Sequence, residues 1–388
     1  MKEIFEKSGI ETREFQLKTL TPVHVGSGEK LDKIRYIYNA NHQQAVVIDE
    51  QKFIEFLHEK NLMASYLEYL SLYHNKEKDP APFNSWLKKE GISDVASVGR
   101  FKKYVLSTKG IAKVGKQTLN EIECCVKSVY GQPYLPGSSI KGAIRTAIGV
   151  HYLAEHRRIP AFKTIRNNID RALNTRYPKK NDLKRDLKRC GENLENQIFP
   201  NKSFGISIGD TGEMPMEQLC LVQKRDYSMK TQKQKALSIY CESLKPGVKT
   251  RFAITVDRSK SIDRFDIQSP EDILPILEEM EDFLYGKRGI YGRLEAREGF
   301  CPVVHPGWTA LIFGKNTGFH SKTLMAALYE DPEERLRVSR QIMCVLFPKH
   351  YHYNDPVISP PTVQLAQYQG REQANGFCEI AVAEEKKC

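Results

Sequence analysis

The apolar and polar positions of the chain follow two different periods. Residues 14–19 and 250–256 alternate in the way that half-buried strands do, and short strand-like runs occur at 34–38, 45–48, 204–208 and 308–313. Helical spacing follows Asp49, Ser269 and Asp331, each of which can cap a helix, and residues 60–110 predict mostly polar helices. This irregular mixture favours an α+β fold with antiparallel sheets over a doubly wound parallel sheet.

One predicted helix combines an apolar face with a cationic one. It follows a turn at residues 136–137, and Ser138 or Ser139 can cap it. Lys141 and Arg145 lie four residues apart and share one face. Because the first turn of a helix attracts anions, these cations suit an RNA backbone, although two solvated cations on an ordinary amphipathic helix fit the pattern as well. The apolar face contains Ile140, Ala143, Ile144, Ala147 and Ile148.

The positive charge is concentrated in one segment. The 388 residues carry a net charge of +11, and residues 151–190 hold twelve Lys or Arg against four Asp or Glu. Such a segment indicates either a nucleic-acid partner or a solvated, partly disordered insertion. The length predicts two domains, 1–212 and 213–388, and we expect a helical insertion at 60–125 and the basic insertion at 151–200.

Composition argues against several classes of protein. The chain has no apolar run long enough to span a bilayer and no apolar secretory segment near Met1, so we expect a soluble, cytoplasmic protein without a membrane partner. Nine cysteines occur without a C-x-x-C pair, which argues against structural zinc and favours buried thiols. His350 and His352 form the pair best spaced to touch a metal, but surface histidines explain it better. We therefore predict no cofactor and no metal.

Three motifs in the chain resemble one protein family. Residues 136–145 resemble the signature of the RAMP superfamily of CRISPR-associated proteins, in the branch that forms effector backbones. Residues 20–28 resemble the opening strand and turn of that superfamily, and residues 314–323 resemble a C-terminal glycine-rich loop in one of its members. This last loop has only two glycines, fewer than many RAMP proteins, so RNA binding by the second half of the chain is left open.

The resemblance implies both a fold and a role. The implied fold is a tandem pair of ferredoxin-like (RRM-like) RAMP domains, a topology that many RNA-binding modules share. The implied role is that of an RNA-binding subunit in a type III-A (Csm) CRISPR effector, which caps the backbone filament at the 3′ end of the crRNA and assists crRNA maturation in antiviral defence. The implied partners are crRNA, the other Csm backbone and small subunits, host nucleases and, indirectly, target RNA.

The predicted site binds RNA without cutting it. His24 could serve acid–base chemistry, but packing or RNA contact explains it better, so we predict a non-catalytic protein. Two alternatives stay open: a scaffold that recruits host nucleases with little RNA contact, and a metal-independent RAMP endoribonuclease. Tyr130, Tyr134 and Phe319 are available for base stacking, although each also suits a core. The predicted RNA-binding residues are His24, Gly26, Ser27, Gly28, Ser138, Ser139, Lys141, Arg145, Lys315 and Lys322.

Overall fold

The fold is described from a computed structural model. It covers residues 9–75, 82–92, 94–111, 119–175, 179–200, 204–260, 262–292 and 301–384. The strands in these ranges are β1 (Ile10–Thr19), β2 (Gly26–Leu31), β3 (Tyr36–Asn39), β4 (Gln44–Ile48), β5 (Lys102–Ser107), β6 (Ile122–Cys125), β7 (Ile206–Ile208), β8 (Leu219–Ser228), β9 (Gln234–Leu244), β10 (Lys249–Asp257), β11 (Thr309–Ile312), β12 (Thr362–Tyr368), β13 (Arg371–Ala374) and β14 (Phe377–Val382). The α-helices are α1 (Glu50–Glu59), α2 (Met63–His74), α3 (Phe83–Lys89), α4 (Val95–Arg100), α5 (Gly137–His156), α6 (Pro160–Leu173), α7 (Lys180–Ile198), α8 (Ile273–Tyr285) and α9 (Pro332–Leu346).

A five-stranded antiparallel sheet joins the two ends of the chain. Its order is β11-β14-β1-β10-β7, and α5 packs against α8, β7 and β11. The succession β1, α5, β7, β10, α8, β14 with the order β14-β1-β10-β7 matches a ferredoxin-like unit. Phe15 on β1 lies opposite Phe252 on β10, and their rings stack with centroids 6.0 Å apart. The α+β prediction is therefore confirmed, whereas the tandem arrangement of two such units stays a prediction.

Two further sheets extend the molecule. One has six strands in the order β13-β12-β8-β9-β6-β2, in which β6 and β9 pair in parallel. The other contains β3, β4 and β5 and lies beside α1–α4, where aromatic side chains form a separate core around Phe53 and Trp86. The five-stranded sheet contains β1 and β7 from before residue 212 and three strands from after it. The predicted boundary between two domains at residue 212 therefore does not separate one sheet from another.

Most of the predicted helix caps are confirmed. Asp49 and Asp331 accept hydrogen bonds from the first turns of α1 and α9, and Ser269 forms a capping box with Asp272. In contrast, the prediction that Ser138 or Ser139 caps α5 is wrong.

The helix α5 begins two residues earlier than a cap at Ser138 allows, because Pro136 occupies the cap position. It starts at Gly137, and Asp210 Oδ1 accepts the hydrogen bond from the Gly137 N–H group at 2.7 Å. A Cβ atom at Gly137 would lie 2.2 Å from the carbonyl oxygen of Ile208. Only glycine allows this close approach, so the serines fall within the helix.

The basic insertion forms packed helices. It contains the end of α5, the whole of α6 and α7, and the turns between them that the structure describes; Arg176 lies outside the described residues. Each helix buries one apolar face, through Phe162 and Ile169 on α6 and through Leu187 and Leu194 on α7. The described part of the insertion is therefore ordered by its apolar residues, while its cations lie outward. Within the described residues, no helix is both long enough and apolar enough to cross a bilayer.

Candidate nucleic-acid interface

A groove of about 430 Å³ lies between α5, α7 and residues 322–325. We call it the α5–α7 groove. It brings together Arg145 from the signature helix, Lys188 from the basic insertion and Lys322 from the late glycine-rich segment. Cations that are far apart in the sequence therefore face one open cavity, and Gly142 lines it with no atom within 4 Å of the place where a Cβ would stand.

Lys141 and Arg145, the two cations of the predicted helix face, lie over aromatic rings. The guanidinium carbon of Arg145 lies 4.3 Å from the centroid of Phe199, and Lys141 Nζ lies 5.2 Å from the centroid of Phe204. Arg145 also forms an ion pair with Glu195 of α7, in which Nη1 and Oε2 are 3.1 Å apart, and 27% of its side chain stays exposed. Cation–π contacts fix the direction of both charges. A phosphate at Arg145 must compete with Glu195.

The N-terminus of α5 already has an anion beside it. Because Asp210 accepts from the Gly137 N–H group, a phosphate there would meet a like charge. Ser138 is exposed and Ser139 is half-buried, and both lie about one turn before Gly142 of the groove. The geometry therefore favours the groove over the helix N-terminus as the place for an RNA backbone.

A second set of predicted residues surrounds His24. The His24 ring is buried, its Nδ1 lies 2.5 Å from the backbone carbonyl of Glu242, and burial lowers its pKa. Since a carbonyl only accepts, Nδ1 carries the proton and Nε2 is left as an acceptor, 4.0 Å from Glu123 Oε2. Lys315 donates its backbone N–H to the His24 carbonyl at 2.8 Å and its ammonium to Glu123 at 2.5 Å. The N-terminal and late glycine turns are thus joined.

The glycine turn predicted after His24 is instead the first part of β2, and its residues face the exterior. Gly26, Ser27 and Gly28 are all exposed, and Gly28 has φ +90° with open space around it. Partial burial and the charge of Lys315 lower the pKa of Lys322. Lys315 belongs to the His24 cluster and Lys322 to the α5–α7 groove. The late glycine-rich segment therefore connects the two predicted parts of the site.

The sequence profile of the RAMP superfamily matches residues 16–268, about two thirds of the chain. This chain belongs to the RAMP superfamily. The match includes residues 20–28 and 136–145, so the resemblance predicted from these two motifs is confirmed, whereas residues 314–323 lie outside it.

Curated relatives of this RAMP protein carry one name, CRISPR system Cms protein Csm5. The relative from Streptococcus thermophilus is 29% identical over 255 residues, which cover 64% of this chain and 65% of the relative. The relative from Enterococcus italicus is 30% identical over 161 residues, which cover 36% of this chain and 44% of the relative. The relative from Mycobacterium tuberculosis is 25% identical over 334 residues, covering 80% and 83%. The chain thus spans less than two thirds of the first two relatives.

Two solved structures share the fold of this RAMP protein. One is the crystal structure of T. onnurineus Csm5, with a TM-score of 0.56 and 19% identity over 94% of this chain and 99% of that one. The other is a chain in the cryo-EM structure of a Csm-crRNA-target RNA ternary complex of a type III-A CRISPR-Cas system. It has a TM-score of 0.57 and 17% identity over 96% of this chain and 100% of that one. At these identities the likeness supports the fold.

One cluster in the RAMP protein has the donor atoms of a metal site. Ligand atoms of His24, Glu123 and Cys241 lie within 4.8 Å of one another, and the Cys241 thiol donates to Glu123 Oε2 at 3.2 Å. The ammonium of Lys315 lies on that same oxygen, so the charge of the carboxylate is already balanced. We therefore assign no metal to it. A second group, His151, Glu155 and Asp266, is more exposed.

The sequence favoured two surface histidines at 350 and 352, but only His350 is exposed, and His352 is buried. The rings of His350 and His352 stack with centroids 5.9 Å apart, and His352 Nδ1 bonds Asp355 at 2.8 Å. This stacking and the carboxylate partner account for the pair without a metal.

Several groups of the site were not predicted from the sequence. Glu195, Phe199 and Phe204 set the position of the cations, and Glu242 holds His24. An aromatic pair five residues apart, directly after a basic segment, is the one local signal that points to the first group. The partners themselves are distant in the sequence, so only the folded chain identifies them.

Proposed function

We propose that this chain is the RNA-binding subunit of a type III-A CRISPR effector ribonucleoprotein. It holds the 3′ end of the crRNA, caps the filament of backbone subunits there and assists crRNA maturation. Its partners are the crRNA, the other Csm backbone and small subunits and recruited host nucleases, and it meets target RNA indirectly. Membership of the RAMP superfamily and similarity to the Csm5 proteins support this assignment.

The α5–α7 groove is the observation that carries the proposal. Arg145, Lys188 and Lys322 line it from three separate segments, and Lys141 stands one turn of α5 away from Arg145. Convergent cations in an open groove bind a sugar-phosphate strand, because each phosphate they neutralise releases condensed counterions. The Phe199 ring beneath Arg145 holds this guanidinium at the groove, which lowers the entropic cost of binding.

The decisive experiment measures crRNA affinity against salt. Lys141→Ala plus Arg145→Ala is expected to weaken binding across RNA sequences. Each lost phosphate contact should also reduce the slope of log affinity against log salt by about 0.7 for a single strand. Glu195→Gln is expected to act in the opposite direction, since it frees Arg145 from its ion pair while keeping a side chain of the same size.

A matched control removes two cations elsewhere. Lys249→Ala plus Arg251→Ala takes the same charge from β10, where Arg251 is also ion-paired, to Glu14. Fluorescence anisotropy with a labelled crRNA should give this variant the wild-type slope. If the groove variant also keeps the wild-type slope, the scaffold function replaces the RNA-binding one, with the basic helices attracting acidic proteins.

In the proposed function, the protein binds RNA but does not cleave it. His24 is buried with one nitrogen held by a backbone carbonyl, which suits packing of the turn. Purified protein incubated with guide precursor is expected to leave it intact with or without divalent metal. Cleavage that disappears in His24→Ala would instead establish the endoribonuclease.

The role in maturation requires the whole particle. Effector complexes isolated from the host are expected to contain a short RNA with a repeat-derived end. Complexes assembled without this chain should carry longer guides at the 3′ side, because the end is no longer held for trimming. Guides of unchanged length would contradict the maturation role.

A further inference from the structure

An exposed aromatic loop follows helix α9. We define it as residues 347–353. Phe347, Tyr351 and Tyr353 are 48%, 65% and 60% exposed, and the rings of the two tyrosines meet edge to face with centroids 6.2 Å apart. Three large rings at the surface within seven residues form an apolar patch that a monomer normally covers or uses.

Buried hydrogen bonds hold the aromatic loop in place. His352 points inward, and Asp355 Oδ2 accepts from its Nδ1 at 2.8 Å and from the Ser359 hydroxyl at 2.7 Å. Arg340 donates to the Asp355 carbonyl, with its Nε at 2.7 Å. Between these anchors Tyr351 adopts a left-handed conformation, φ +52° and ψ +50°, which costs a non-glycine residue free energy. The rings are thus presented by a fixed backbone.

Lysines surround the aromatic loop. Lys180 Nζ lies 5.8 Å from the centroid of the Phe347 ring, and Lys230 donates to the Tyr351 carbonyl at 3.3 Å. Lys349 is exposed within the loop itself, whereas its acidic neighbour Asp355 is buried and hydrogen-bonded. Lysine is depleted in the cores of protein–protein interfaces. Aromatic rings surrounded by lysines therefore suit a nucleic acid, whose bases stack on the rings and whose phosphates pair with the lysines, better than they suit a protein partner.

A cationic face of α7 links the loop to the groove. Lys180, Lys184 and Lys188 are all exposed and recur every four residues, so they share one side of the helix. Lys180 lies at the Phe347 ring, and Lys188 lines the α5–α7 groove. These two lysines are separated by about 12 Å along the helix axis. A strand bound in the groove can therefore continue along α7 to the aromatic loop.

We propose that the aromatic loop stacks unpaired bases of the RNA strand that leaves the α5–α7 groove. This inference rests on the proposed RNA-binding function. Bases of any sequence can stack, because each presents a π-face, and the lysines take the intervening phosphates. The loop thus adds sequence-independent contact area to a groove that by itself contacts phosphates.

The test compares a normal RNA strand with one that lacks bases. Full-length protein is titrated with labelled 15-nucleotide oligouridylate and with a strand of equal length made of abasic ribonucleotides. Tyr351→Asn plus Tyr353→Ala removes two rings, and asparagine tolerates the left-handed backbone. We expect this variant to bind oligouridylate at least about fivefold more weakly for each lost base contact, with an unchanged salt slope and unchanged affinity for the abasic strand.

Two control variants separate stacking from general damage. Tyr353→Phe keeps the ring and should retain wild-type affinity, and Leu67→Ala removes a 58% exposed apolar side chain from α2 and should have no effect. Thermal unfolding of the double variant establishes that it folds.

Three outcomes distinguish this inference from the proposed function. Unchanged oligouridylate affinity in the double tyrosine variant overturns the inference and leaves the loop as a protein contact. An equal loss on the abasic strand also overturns it, since bases would then be irrelevant. The Lys141→Ala plus Arg145→Ala variant should weaken both strands; if it weakens neither, the proposed function fails.

Discussion

Replacing the buried carboxylate of Glu242 with an amide is expected to destabilise the six-stranded sheet. This side chain is fully buried and forms an ion pair with Lys127. It also accepts hydrogen bonds from the Tyr104 hydroxyl at 2.5 Å and from the Cys125 N–H group at 2.9 Å. Glu242→Gln keeps one oxygen acceptor and gains an NH₂ group that can only donate. This NH₂ group then faces either the donors of Lys127 and Cys125 or the Tyr104 hydroxyl. The partly buried ammonium of Lys127 is left without its counter-charge.

The size of the effect follows from the exposure of the partners. Removing one partner of a buried ion pair costs about 3–5 kcal/mol. Lys127 keeps 16% of its side chain exposed, so water can reach part of the ammonium, and we expect a loss of about 3 kcal/mol. The matched control is Glu121→Gln, whose ion pair with Lys30 has both side chains 53% exposed. It should have a much smaller effect, because solvent screens both charges.

Urea unfolding followed by circular dichroism measures both variants. The midpoint and slope give the free energy of unfolding, and Lys127→Met in the Glu242→Gln background should recover part of the loss because it removes the unpaired charge. The reasoning is refuted if Glu242→Gln costs no more than Glu121→Gln.

Two further predictions concern stability. Burial lowers the pKa of His320 to about 4 from its ordinary 6.5, so between these values the unfolded chain binds the extra proton and stability falls as the pH is lowered. We expect a loss of about 2 kcal/mol between pH 7 and pH 5, and urea unfolding of His320→Gln should show a flatter profile; parallel profiles would contradict the assignment. Within α5, Gly137→Ala should destabilise by about 1–3 kcal/mol through its clash with Ile208, whereas Gly142→Ala, in open space, should stabilise by about 0.5–1 kcal/mol. Thermal unfolding ranks them, and equal midpoints would refute the contrast.

Two of the strands that sequence patterns missed, β8 and β9, share a physical feature, whereas β5 lies within residues 60–110, where helices were predicted and this strand was missed. Most of the first half of β8 is buried and its second half is partly exposed, while β9 changes from exposed to buried along its length. A strand that passes from the surface into the core shows no steady alternation, so its period is not visible. In contrast, every second residue is buried from Phe15 to Thr19 of β1 and from Phe252 to Val256 of β10, and this alternation predicted both strands correctly.

By itself the sequence determined the features that depend on near neighbours. It gave the apolar face of α5, the caps at Asp49 and Asp331, and the motifs of the RAMP superfamily. Only the tertiary structure decided which partners the site residues have. Arg145 meets Glu195 from 50 residues away, and His24 meets Glu242 from 218 residues away. Periodicity records whether a position is buried, but the identity of its distant partner is fixed by packing, and those partners decide which cations are already neutralised within the protein.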